Sequence, residues 1–354
     1  PSTWPQTKVT SSLARRFRSV VDGCNNIPMR LMLAPMEGVI DHTMRELLTS
    51  LGGIDRCVTE FLRVSDRLLP PRVFHRLCPE LALGVTTSSG VPVYLQLLGG
   101  EAGVVAENAA RGAELGAPGI DLNFGCPAKT VNRSNGGAIL LQDPARVAGI
   151  VAAVRRAVPA DLPVTVKIRL GFENRERFLE IVRGIEDARA DELTIHSRTR
   201  RDGYRPPAYW DAIALARECV SLPLIANGEI WSPDDALRCR AASGCGDLML
   251  GRGVLCRPDL PRLISAMDRG EPVDSLHWPD IVPLLLTFFE LQLAHYDAHH
   301  AGNPLKQWLV YLRHYFPQAA LLFEEVKRLR LPEEIGRALA QHAALVSGGH
   351  PEAA

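Results

Sequence analysis

This chain lacks a charge imbalance. Its 40 Lys and Arg side chains are matched by 40 Asp and Glu, so no net field draws it to nucleic acid, and any such binding has to come from local patches. It also lacks a Cys-x-x-Cys pair. Eight scattered cysteines disfavour zinc or iron–sulfur ligation, and a chain of this size needs no disulfide staples. They are therefore read as reduced thiols in a cytoplasmic protein. His295, His299 and His300 have helical spacing that could suit a metal, but they are not read as a site and no metal is expected. No apolar run approaches the roughly 20 residues that span a bilayer, so no membrane partner is expected either. No Gly-x-Gly-x-x-Gly follows the first strand-like run, which weakens an open dinucleotide-binding sheet.

What is present reads as a barrel. The 354 residues, 46% hydrophobic and 23% charged, can fill one large domain and a smaller one. Residues 1–28 are rich in Ser and Arg, as in Ser11, Ser12, Arg15, Arg16 and Arg18. They lack the apolar core of a secretory signal. They are expected to be a disordered or non-native extension, with a basic transit peptide as the other reading. Strand-like runs then fall at 31–35, 57–61, 93–98, 119–123, 164–169, 192–196, 224–227 and 247–251. Several are continuous Val/Ile/Leu runs, as expected when both faces of a parallel sheet are covered. Helices start legibly between them: Asp143 precedes Pro144, and Ser232 precedes Pro233 with Asp234 and Asp235 in the first turn. Eight strands alternating with helices predict an α/β fold, a (β/α)8 TIM barrel over 29–275. Beyond it the apolar spacing turns helical at 279–294, 305–316, 320–331 and 332–345. A C-terminal helical-bundle domain is expected over 276–347, with a disordered tail at 348–354.

The stretch from Gly119 to Lys129 is the centre of the chain. An apolar run breaks into Asn123, Gly125, Cys126 and Pro127, describing a strand whose end turns out of the sheet. Sites in parallel α/β proteins lie at those carboxyl ends, and a cysteine between Gly and Pro is a poor packing residue and a good reactive one. The other strand ends present Pro35, Met36 and Glu37; Gln96; Lys167 and Arg169; His196; Asn227, Gly228 and Glu229; and Gly251 and Arg252. The last two groups lie where barrels commonly bind phosphate. Lys167 stands inside an apolar run, so its burial requires a partner. His196 or Cys126 alone is as readily a core residue; at successive strand ends they read as one site.

With these motifs assembled, the sequence resembles the tRNA-dihydrouridine synthases, flavin barrels that reduce uridine in tRNA. The matching stretches are Leu33 to Gly38, Thr59 to Phe61, Gln96-Leu97, Asp121 to Pro127 and Gly136 to Ala138. They continue with Val166 to Arg169, Ile195 to Thr199, Ile225 to Ile230 and Met249 to Gly253. The tail, with Lys306, Gln307, Trp308, Tyr311 and Arg313, is most similar to the bacterial C-type branch, whose members are directed at U16 of the D-loop. Pro304 departs from that branch, which tends to carry a cation there.

The resemblance implies FMN, with Pro35, Met36, Glu37 and Gln96 around the ring. It puts Lys167 and His196 at the ring and phosphate region, and Asn227, Gly228, Glu229, Gly251 and Arg252 on the ribityl-phosphate side. The implied reaction is NADPH-driven reduction of the C5–C6 double bond of a D-loop uridine, with hydride reaching C6 and a proton from Cys126 reaching C5. A cation such as Lys167 stabilises anionic reduced flavin, and a thiol can donate a proton at neutral pH. Asn123 is expected to hold the uracil, and Arg169 to meet a base carbonyl or a phosphate.

RNA contacts are expected from the loop after the sixth strand, with Ser197, Arg198, Arg200 and Arg201, and from Arg63, Lys306, Tyr311, Arg313 and Lys327. A monomer is expected. Two other readings stay open: a flavin barrel acting on a free pyrimidine or an enone, and a non-catalytic RNA-binding protein that has kept a barrel. The basic loop argues against the first; Cys126, Lys167 and His196 together argue against the second.

Overall fold

The computed structural model describes residues 29–347; the segments 1–28 and 348–354, expected above to be an extension and a tail, lie outside the described residues. Eight parallel strands close into a barrel in chain order: β1 (Leu31–Leu33), β2 (Arg56–Arg63), β3 (Val93–Leu98), β4 (Ile120–Phe124), β5 (Val164–Arg169), β6 (Glu192–His196), β7 (Leu224–Asn227) and β8 (Leu248–Leu250). β8 pairs back onto β1 through Leu31–Leu248, Met32–Met249 and Leu33–Leu250. Four of the eight strands have the expected bounds and the others shift. β1 stops at Leu33 because Pro35 has no N–H to continue the ladder, although Ala34 still donates to the Leu250 carbonyl at 2.8 Å. β8 excludes Asp247, whose carboxylate is taken by the Arg30 side chain.

The helices around and after the barrel are α1 (His42–Ser50), α2 (Pro71–Leu77), α3 (Ala102–Glu114), α4 (Lys129–Asn132), α5 (Pro144–Ala157), α6 (Phe178–Asp187) and α7 (Asp211–Arg217). They continue as α8 (Pro233–Ser243), α9 (Arg252–Cys256), α10 (Leu260–Arg269), α11 (Trp278–His295), α12 (Ala298–Leu312), α13 (Pro317–Val326) and α14 (Pro332–Ser347). Their starts follow from capping chemistry. The Asp143 carboxylate accepts from Arg146 N at 3.1 Å with Pro144 at the first position, and Ser232 accepts from Asp235 N at 3.1 Å before Pro233. α8 ends at Gly244, whose φ of 68° is the left-handed cap glycine supplies.

Helices α11–α14 pack on one side of the barrel, and their buried residues join the core of the barrel without a break. Trp308 on α12 is 1% exposed; it meets Phe288 edge-on at 5.3 Å and donates from Nε1 to the Leu255 carbonyl on α9 at 3.1 Å. On the other flank Tyr296 donates to Asp41 at 2.8 Å and Gln292 donates to Thr43 at 2.5 Å. α12 begins earlier than the apolar spacing suggests, because Asp297 caps it by accepting from His299 N at 2.9 Å. Pro304 therefore sits inside this helix, not ahead of it.

Candidate active site

The carboxyl ends of the strands open into a cleft of about 510 Å³, walled on one side by Tyr311 of α12. β4 delivers its centre. Asn123 is buried at the end of the strand, and its side-chain oxygen accepts from Gly125 N at 2.9 Å and Cys126 N at 3.0 Å. This Asx turn brings the half-buried Cys126 to the cleft wall beside Asn123. The Cys126 carbonyl takes N–H groups from Ala138 at 3.0 Å and Asn132 at 3.1 Å, so both ends of the cysteine's backbone are fixed. Burial pushes the Cys126 thiol up, helped by the charge of Glu37; a backbone bond from Ala128 and the charges of Arg169 and Arg63 oppose it. The group is thus kept as a proton-bearing thiol at neutral pH.

The same cleft carries a group of cations. Lys167 on β5 donates from Nζ to Asn227 Oδ1 at 2.8 Å, and the Asn227 amide in turn donates to the Met249 carbonyl at 2.8 Å. The partner that burial demanded is therefore a neutral amide. Burial, with Arg169 nearby, pushes the Lys167 ammonium down to about 7, against the pull of Asp121. His196 is held well below its usual range by burial and then by Arg169, Lys167, Arg198 and Arg252, so it is a neutral imidazole. Arg169 is 2% exposed. Its guanidinium donates to the carbonyls of Gly125 at 2.9 Å, Thr199 at 3.1 Å and Gly203 at 2.9 Å, leaving it a fixed cation at the wall.

Glu229 organises the loop after β7. Its φ of 58° is unusual for a non-glycine residue. Its carboxylate ion-pairs with Arg198, accepts from Trp231 Nε1 at 3.0 Å and lies 3.7 Å from Arg252. Arg252 stands between two rings, 4.6 Å from the centre of Tyr204 and 4.9 Å from Trp231.

The cleft gathers Pro35, Met36, Glu37, Gln96, Asn123, Cys126, Lys167, Arg169, His196, Asn227, Gly228, Glu229, Gly251, Arg252 and Tyr311. The residues expected to meet RNA are dispersed. Arg198 and Ser197 are fully buried; Arg198 serves Glu229, and Ser197 donates to the Asn227 carbonyl at 3.0 Å. Neither is presented to a surface, which departs from the reading of that loop as a phosphate-tracking one. Arg200 lies against Phe172 at 5.0 Å, while Arg201 is exposed, 4.0 Å from Glu173. Arg63 reaches the Thr130 carbonyl at 3.3 Å. In the tail, Lys306 donates to the Leu329 carbonyl at 2.5 Å, Lys327 pairs with Glu324, and Arg313 is exposed beside Phe323. Tyr204, Trp231 and Phe61 also line the cleft. Phe61 ends the Thr59 to Phe61 stretch and Tyr204 is the aromatic of the basic loop after the sixth strand, whereas Trp231 was not singled out. Among the described residues no three His, Cys, Asp or Glu side chains gather as a metal set, and no helix is long and apolar enough to cross a membrane.

A closed parallel barrel with a protonated thiol and a group of cations at its carboxyl ends is an enzyme of the TIM-barrel class. The chain belongs to the dihydrouridine synthase family: the family model described as Dihydrouridine synthase (Dus) matches residues 32–344. It is 48% identical over 312 residues to the tRNA-dihydrouridine(16) synthase of Aquipseudomonas alcaligenes, covering 88% of this chain and 99% of that protein. It is 50% identical over 300 residues to the tRNA-dihydrouridine(16) synthase of Pseudomonas syringae pv. tomato, covering 85% and 95%. Among solved structures, histamine dehydrogenase from Rhizobium sp. 4-9 superposes with a TM-score of 0.54 at 14% identity, over 75% of this chain and 49% of that one. A 2-naphthoyl-CoA reductase complex gives a TM-score of 0.54 at 12% identity, over 90% and 67%. These two likenesses are of fold.

Proposed function

We propose that the protein reduces a uridine of the tRNA D-loop, at position 16, to 5,6-dihydrouridine, using FMN as bound cofactor and NADPH as reductant. The observation that carries this reading is a thiol kept protonated beside a backbone-locked Asn123, in a cleft whose cations outnumber its carboxylates. The names of the relatives support the substrate and the position.

The residues fit a flavin mononucleotide. A Cβ on Gly251 would protrude toward Ala34 and Met36, at 3.6 and 3.7 Å, and one on Gly228, at φ 115°, would strike His196 at 2.8 Å. Gly228 therefore has to be glycine, whereas the contacts at Gly251 are ordinary ones and a Cβ there would only take up cleft space. Gln96 and Lys167 would address a heteroaromatic ring; Asn227, Gly228, Gly251 and Arg252 would hold the ribityl phosphate. FMN, when bound, supplies the hydride chemistry.

Hydride addition at C6 of uracil builds enolate charge on the base, so a proton has to arrive at C5. Cys126 holds that proton on Sγ. Asn123 orients the base, since its side chain cannot rotate while two backbone N–H groups bind its oxygen. Arg169, immobilised by three carbonyls, places positive charge beside the developing enolate. Tyr204 and Tyr311 offer ring faces at the mouth for a base flipped from its stack.

A visible spectrum tests the whole reading. Flavin absorbance that bleaches with NADPH under anaerobic conditions and returns with unmodified tRNA is the expected result. Bleaching that tRNA fails to reverse transfers the enzyme to small substrates, and a protein that takes up no flavin removes the proposal.

A further inference from the structure

Beneath the cleft a buried chain of hydrogen bonds ends at the thiol loop. Asp121, 1% exposed, stands two residues before Asn123 on β4, so both side chains share the face of the strand turned into the barrel. Gln96 is the register partner of Asp121 across β3 and β4. It donates from Nε2 to Asp121 Oδ2 at 2.6 Å, and its Oε1 accepts from Asn123 Nδ2 at 2.8 Å. Asn123 Oδ1 then accepts the N–H groups of Gly125 and Cys126. Thr165 takes the other Asp121 oxygen at 2.5 Å and lies outside the path to the thiol.

The polarity of this chain is fixed twice over. Backbone N–H groups only donate, so Asn123 must turn its oxygen to Cys126 and its NH2 to Gln96. Gln96 must then turn its oxygen to Asn123 and its NH2 to position 121, where an acceptor is required. A carboxylate only accepts, so the same orientations follow when the chain is traced from Asp121.

We propose that Asp121 is a positioning residue for Cys126, setting through Gln96 and Asn123 the turn that seats the thiol. This rests on Cys126 as the proton donor. Asp121 touches no reacting atom; it determines which way two amides face. An apolar residue at 121 leaves a buried N–H of Gln96 unpaired, and the relief is for the amides to rotate and release the Cys126 turn.

The test is the rate at which iodoacetamide alkylates Cys126 in the ligand-free full chain near pH 8, read on the peptide that contains it. Release of the turn exposes a thiol whose ionisation burial otherwise suppresses, so Asp121→Leu reacts about tenfold faster than wild type, the scale of one lost buried hydrogen bond. Gln96→Met, which cuts the chain at its middle, gives the same increase and decides the matter if Asp121→Leu fails to fold. Asp121→Asn keeps an acceptor for Gln96 and stays within about twofold of wild type, as does Thr165→Val, which loses a bond outside the path. Unchanged rates in both Asp121→Leu and Gln96→Met overturn the proposal. So does an equal rise in Thr165→Val, which means general loosening, or in Asp121→Asn, which means that charge and not polarity matters. These rates are independent of turnover, so they separate the relay from the acid role tested by removing Cys126.

Discussion

At the amino-terminal end of the barrel, Arg30 and Arg56 reach Glu192 from two sides, at 2.7 and 2.5 Å, and Arg30 also meets Asp247 at 2.5 Å. At the carboxyl end Lys167, Arg169 and Arg252 share a cleft with only two carboxylates, Glu37 and Glu229, and Glu229 is already paired with Arg198. Both ends carry cations, yet one neutralises them and the other does not. Compensated charge ties strand starts together across the barrel. Uncompensated charge costs the ligand-free protein stability and is returned when an anion arrives. The contrast locates the functional end of the barrel without reference to any motif.

The sharpest break of this contrast is at the thiol. Cys126→Ala should lower tRNA reduction by about 10³-fold, within the range of a lost general acid. Flavin binding and NADPH oxidation stay near wild type, because the cations of the cleft are untouched; steady-state turnover and a flavin titration report the two. Loss of flavin in this variant would count against the acid role. Next in size, Glu192→Ala strands the buried Arg56, while Arg30 keeps Asp247, and should cost about 3 kcal/mol in denaturant unfolding, with flavin affinity unchanged.

Lys167→Met works in the opposite sense. The lysine is depressed to about 7 in the folded protein from 10.5. Below about pH 7 folded and unfolded chains both carry the charge, and the full cost of burying it is present. As pH rises from 7 toward 10.5 only the unfolded chain keeps the proton, and the cost fades. The ligand-free variant should therefore be more stable than wild type at pH 6, by about 2 kcal/mol, with the advantage shrinking above pH 7. Thermal unfolding across that range checks the sign, and flavin affinity should fall in the same variant. The smallest effect belongs to the exposed Arg201: its change to Ala should weaken tRNA binding about twofold and reduce the salt slope by about 1.

The barrel was legible because each strand carries an apolar run bounded by Pro, Gly or Asp, and the cleft because its residues sit at the ends of those runs. Asp121 was harder. Ile120 to Phe124 reads as an apolar run, whereas its polar members Asp121 and Asn123 recur at period 2 and face the barrel interior. That alternation was the signal for the buried relay. Arg198 misled for another reason. Among Arg200, Arg201 and Arg205 it looks like one more surface cation, and nothing local announces that Glu229, 31 residues later, draws it inside. The tail cations are similar: Lys306 and Lys327 are bound by Leu329 and Glu324, partners that only the helix packing creates.

Trp308 donates to the Leu255 carbonyl, and Leu255 belongs to the five-residue helix that opens with Arg252. The C-terminal helices are thus fastened to the segment that furnishes the cleft with its guanidinium. For recombination between members of the family, the segment from Met249 to Cys256 and the helices from Trp278 onward form one heritable block. A chimera that exchanges the helices alone puts the donor to the Leu255 carbonyl, and with it the anchoring of the Arg252 helix, under the control of another sequence.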